Sequence, residues 1–143
     1  MAIQSTYDER LNIGFAGQIS SSIPSTLITG RAEEAIPFGR ACVQGTADRD
    51  FMLLSAVGQR VLGISRRDQS IDPDSVNEYP VNENVALLEQ GEIFVTAGAN
   101  VAAGQTVFAR LDGTFANSGG AEIADAVFVT SGASGDIVKI RLK

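Results

Sequence analysis

The chain has no histidine, no tryptophan and a single cysteine, and its two lysines, Lys139 and Lys143, stand in the last five of 143 residues. Each absence excludes a class of function. Without histidine the commonest general base is missing, and no Ser-His or Cys-His nucleophile pair can be assembled. Zinc and similar ions are held by several Cys and His side chains, and Cys42 alone cannot build such a site. An internal disulfide is impossible for the same reason, so the fold does not depend on an oxidising compartment. Cys42 itself sits in the apolar run ACV and reads as a small buried hydrophobe.

Positive charge is scarce too. Eleven basic against 17 acidic residues leave a formal net charge of −6, and the longest basic run is Arg66-Arg67. Nonspecific nucleic-acid binding rests on clustered cations that neutralise phosphates, so no nucleic-acid partner is expected. Long apolar runs are also missing. The N-terminal MAIQSTYDERLNIGFAGQISSS lacks the charged start and apolar stretch of a signal peptide, and nowhere does the chain reach the roughly 18 apolar residues of a membrane-spanning helix. The expectation is a soluble protein made in the cytoplasm, with no membrane partner.

What is present is a series of short apolar segments punctuated by turn residues. The strand signals are RACVQ (40–44), DFMLLSAV (50–57), RVLGISR (60–66), NVALLEQ (84–90), EIFVTA (92–97), QTVFARL (105–111), DAVFVTS (125–131) and DIVKIRLK (136–143). In the last of these, Val138, Ile140 and Leu142 alternate with Lys139, Arg141 and Lys143, the pattern of a half-buried strand. TGRAEEAI, ahead of Pro37, could wind one or two helical turns. Many short strands with glycine-bearing connections and no long amphipathic helix predict an all-β fold, a compact β-sandwich or β-barrel, jelly-roll-like or smaller. IPFGRACV (36–43) and VAAGQTVF (101–108) echo each other, each with a glycine just before a strand, where positive φ is expected.

Residues 1–28 differ from this pattern. Isolated apolar side chains, among them Phe15, Ile19, Ile23 and Ile28, are spread with Pro24 through glycine and serine without a period of 2 or 3.6. Two readings stay open: an arm that docks on a neighbouring subunit, or an irregular first strand packed on its own domain. The division expected is therefore an N-terminal arm, 1–28, and a β-domain, 29–143.

Between Arg67 and Val85, DQSIDPDSVNEYPVNEN reads as a long exposed acidic loop. Asp72, Asp74, Asn77 and Glu78 offer oxygen ligands that would suit Ca²⁺, but without the spacing of a calcium loop. A carbohydrate- or Ca²⁺-binding β-sandwich module is the alternative reading, weakened for sugars because Tyr79 is the loop's only aromatic. No P-loop or dinucleotide glycine motif occurs, so neither cofactor, metal nor catalytic residue is assigned. The run Gly98, Val101, Gly104, Val107 after EIFVTA is similar to the hairpin of biotinyl and lipoyl carrier domains, but those need a lysine on an exposed turn and none precedes residue 139.

The ordered run IPFGRACV, VLGISRRDQ, the Tyr79 loop, NVALLEQGEIFVTAGANVAAGQTVFARLDGTF and SGASGDIVKIRL resembles the cement, or head-decoration, proteins of tailed bacteriophages over roughly residues 28–143. That resemblance implies a non-catalytic β-rich protein on the outer surface of a virion, bound to the major capsid protein and bridging neighbouring subunits. It also implies a homotrimer, or alternatively a homodimer, with an N-terminal arm reaching across. Phe15, Ile19, Ile23, Pro24 and Ile28 are then the candidate inter-subunit or capsid contacts.

Overall fold

The computed structural model describes residues 15–20, 23–68 and 77–143. Among them are eleven strands and no helix: β1 Thr26–Ala32, β2 Ile36–Pro37, β3 Ala41–Gln44, β4 Asp50–Leu53, β5 Gly63–Ser65, β6 Glu78–Tyr79, β7 Asn84–Thr96, β8 Thr106–Ala109, β9 Phe115–Ala116, β10 Ala121–Phe128 and β11 Ile137–Leu142. The helical turn expected in TGRAEEAI does not form. Its first half belongs to β1, which pairs antiparallel with β7 from Thr26↔Gln90 to Arg31↔Asn84, and Glu33-Glu34 only bend the chain. Thr26, Ile28 and Thr29 are β-branched, and a ready partner strand satisfies their backbone better than an isolated turn could.

The strands run in the order β1-β4-β3-β5-β7-β11-β10-β8-β9, and the further β1–β7 pairing closes the first five into a barrel. The remaining strands form a second sheet that also starts from β7 and curls back to it through an Ala97↔Phe115 bridge. β7 serves both because it bends. NVALLEQ and EIFVTA, which read as two strands, are one strand of 13 residues with Gly91 at φ 133° between them. That φ is costly for any side chain, and a Cβ at Gly91 would lie 2.9 Å from that of Ser25.

Two apolar cores follow from this arrangement. Phe38, Cys42, Phe51, Tyr79, Val85 and Leu87 belong to the smaller one, and Val43, Ile64, Leu88, Ile93, Phe128 and Ile140 to the larger. Neighbours within a strand part company: Cys42 goes to one core and Val43 to the other, as strand alternation requires. Sheet β3-β5 is thus buried on both faces, which is why its strands read as apolar runs.

Four turns share one construction. In FAGQ (15–18), AVGQ (56–59), AAGQ (102–105) and ASGD (133–136), the fourth N–H donates to the first C=O at 3.0–3.2 Å. The fourth side chain accepts in return from the first N–H, at 3.1 Å in the first two, 2.8 Å for Gln105 and 2.9 Å for Asp136. Gly17, Gly104 and Gly135 take φ of 83°, 90° and 91°, the conformation a type II turn needs at its third residue. The echo between IPFGRACV and VAAGQTVF is also real at the backbone level. Gly39 (φ 75°) and Gly104 (φ 90°) each stand two residues before a strand, β3 and β8.

Cys42 lies at 0% exposure in the smaller core, and burial pushes its thiol up to about 12. Thiolate is the reactive form, so the folded protein is expected to resist thiol reagents at about pH 8 and to react only once denaturant exposes the chain. Labelling that is equally fast with and without denaturant would contradict the burial.

Candidate functional site

The five residues singled out from the sequence are divided among three grooves of the described surface. Phe15 and Ile19 line a groove of about 370 Å³ with Gln18, Arg66 and Arg67. Ile23 and Pro24 line a second of about 270 Å³ beside Gly91 and Arg141 to Lys143. Ile28 lines a third, about 320 Å³, between Arg60–Ile64 and Glu122–Asp125. The five do not converge on one patch.

Residues 15–20 run as a short edge along the second half of β7. Gly17 N–H donates to the Phe94 carbonyl at 2.8 Å, Phe94 N–H to that of Gln18 at 3.0 Å, and Ser20 N–H to that of Glu92 at 3.0 Å. Ile19 bridges antiparallel to Ile93 and packs half-buried on the larger core. Ile28, on β1, packs half-buried against the smaller core. Pro24 is exposed, Ile23 half-buried, and Phe15 is 61% exposed. The point between residues 28 and 29 falls inside β1.

Phe15 has a specific neighbour. The Arg67 guanidinium carbon lies 4.9 Å from the Phe15 ring centre and 5.7 Å from that of Phe38, so the cation sits over two aromatic rings. Phe38 is held edge-on by Tyr79, with centroids 5.2 Å apart and planes at 84°. Tyr79 is fixed in turn, its hydroxyl donating to the Arg66 carbonyl at 2.6 Å. Burial raises the Tyr79 pKa, so the phenol stays protonated. Sequence reading reached Arg66-Arg67 only as the longest basic run. The partners of Arg67 come from positions 15 and 38, and no local pattern joins them.

The loop read as a possible cation or sugar site is described only at its end. Asp72 and Asp74 lie outside the described residues. Asn77 is exposed at φ 60°, Glu78 is in β6, and Tyr79 is 1% exposed, so its ring offers no face for a sugar to stack on. Among the described residues no three Asp, Glu or Cys side chains converge as metal ligands.

Three carboxylates are held ionised. The Arg31 guanidinium grips Asp50 with two bonds, 2.9 and 2.8 Å, and lowers its pKa. Thr114, through its hydroxyl and its N–H, lowers that of Asp112. Glu92, 3% exposed, is paired with Arg141 at 2.9 Å and Lys139 at 3.2 Å. All three stitch strands or turns together.

A barrel with a second sheet, apolar-and-arginine grooves and a backbone-paired N-terminal edge is a shape suited to contact. Residues 3–143 match the profile of the structural cement proteins, described by E217 gp24 and Pam3 gp6. The chain belongs to that family. It is a capsid-associated structural protein of a bacteriophage, as the sequence resemblance implied. Its fold is similar to that of a chain in the capsid of Myoviridae phage XM1, at 16% identity and a TM-score of 0.79, covering 100% of this chain and 98% of that one. It is also similar to the N base of the head fiber gp8.5 of bacteriophage phi29, at 17% identity and a TM-score of 0.51, covering 84% of this chain and 95% of that one. At these identities the likeness is one of fold. No curated protein matches the chain in sequence.

Proposed function

We propose that this cement protein binds the outer surface of a phage head and stabilises it, without catalysis, by bridging neighbouring copies of the major capsid protein. The observation that carries this reading is the family match along residues 3–143. Bridging works by multivalency. Once one contact is made the others become effectively intramolecular, so several modest patches give a firm hold. The separate grooves of the described surface fit such a division of contacts. Self-association as a homotrimer, or alternatively a homodimer, would multiply the gain. In this reading the segment 1–28 is the arm, with Phe15, Ile23 and Pro24 presenting surface to a neighbour and Ile19 and Ile28 anchoring it to the barrel.

The test is addition of purified protein to heads that lack it. Saturable binding is expected, together with a rise in the temperature at which the heads come apart. Light scattering on a sizing column should give a mass of three chains, or two. A chain lacking residues 1–14, which leaves every described strand intact, is expected to bind heads more weakly. Heads that neither take up the protein nor gain stability from it would sink the reading.

A further inference from the structure

Resting on that reading, we propose that the groove of Phe15, Gln18, Ile19, Arg66 and Arg67 receives a carboxylate side chain of the capsid subunit, with the Arg67 guanidinium as its fork. The ring centres of Phe15 and Phe38 lie 4.9 and 5.7 Å from the Arg67 guanidinium carbon and supply no carboxylate or carbonyl acceptor, so its N–H donors can meet a carboxylate bidentately. The Nε atoms of Arg66 and Arg67 are buried without a hydrogen-bond partner, as is that of Arg141, so what sets the pair in the groove apart is the lack of a close carboxylate among the described residues.

Elsewhere arginines meet carboxylates at short range. Arg31 reaches Asp50 at 2.8 Å and Arg141 reaches Glu92 at 2.9 Å, whereas among the described residues Arg66 has only Asp68 at 3.9 Å and Arg67 has no ion pair. About 370 Å³ of space is enough for an acidic side chain, and Phe15 and Ile19 supply apolar walls for its stem. Charge selects the class of partner. A chain of net charge −6 repels a polyanion as a whole, but a local pair of cations in that field draws a single acidic side chain.

The experiment measures affinity for heads lacking the cement protein, for wild type, Arg67→Gln, Arg67→Lys and, as an equal loss of charge elsewhere, Arg49→Gln. Circular dichroism, melting temperature and solution mass are followed for each. Arg67→Gln is expected to keep fold and mass, to lose about tenfold in affinity, and to flatten its salt dependence. Arg49→Gln should stay near wild type. Arg67→Lys keeps the charge but not the planar fork, so it should fall between them. Wild-type affinity in Arg67→Gln would overturn the proposal, and wild-type affinity in Arg67→Lys would overturn the fork. A lower solution mass in Arg67→Gln would assign the groove to a second copy. If Arg67→Gln has no further effect in a chain lacking residues 1–14, the occupant is that segment, with its Asp8-Glu9, and the proposal also falls. Failure of the wild type to bind heads at all would strike the cement reading itself.

Discussion

Replacing Lys139 and Arg141 together by methionine is expected to cost about 3–5 kcal/mol at neutral pH and to invert the contribution of Glu92 to the pH dependence of stability. Glu92 is 3% exposed, and its two oxygens are held by Arg141 Nη2 at 2.9 Å and Lys139 Nζ at 3.2 Å. Burial alone pushes its carboxyl up. The hydrogen bonds and charges of Arg141 and Lys139 outweigh that and leave the pKa below the ordinary value. Methionine keeps the length and apolar stem of both side chains while removing both cations. The carboxylate is then buried with nothing to neutralise it.

The signs are opposite in the two chains. With a depressed folded pKa, Glu92 contributes stability above its unfolded pKa of about 4.3, and the contribution is lost as pH falls through the lower folded value. In the double variant burial raises the folded pKa, so stability is lost as pH rises from about 4.3 through that higher value. Asp50 and Asp112, whose pKa values Arg31 and Thr114 lower, are untouched and weaken both chains alike in acid. Denaturant unfolding between about pH 3 and pH 8 should therefore show the two chains drawing together in acid and separating toward neutrality. Adding Glu92→Gln to the double variant should recover much of the loss. A gap that is as wide at low pH as at neutral pH would refute the account.

How much of this was legible depends on how local the cause was. β11 was read to within a residue at each end because its alternation, Val138, Ile140 and Leu142 against Lys139 and Arg141, lies within one strand. The all-β class followed from many such segments. A helical turn was open to TGRAEEAI because it has no strong alternation of its own, and the pairing of its first half with β7 joins residues about 60 apart in sequence. β2, β6 and β9 have two residues each and exist only through their partners. Gly91 looked like a break between strands and is instead a bend within one, since its φ of 133° is invisible in composition. The surface follows the same rule. Phe15 and Ile19 stood out as apolar side chains without a period, but the approach of Arg67 to both Phe15 and Phe38 requires three distant segments to meet.

Leu87→Ala and Leu88→Ala are each expected to lower stability by about 2–5 kcal/mol, in one cooperative transition rather than two. Both side chains are fully buried and adjacent on β7, yet Leu87 belongs to the smaller core and Leu88 to the larger. Two cores in one chain invite the expectation of two unfolding units. The connections argue otherwise. β7 is shared by the barrel and the second sheet, and Cys42 and Val43 on β3 repeat the division seen at Leu87 and Leu88. Neither core can open without stripping one face from strands the other needs, so a cavity in either weakens both. Melting temperatures should fall on the order of 10 °C for each variant, with calorimetric and van't Hoff enthalpies still equal. A two-step melt in Leu88→Ala, with the barrel surviving the second sheet, would show that β7 joins two independent units.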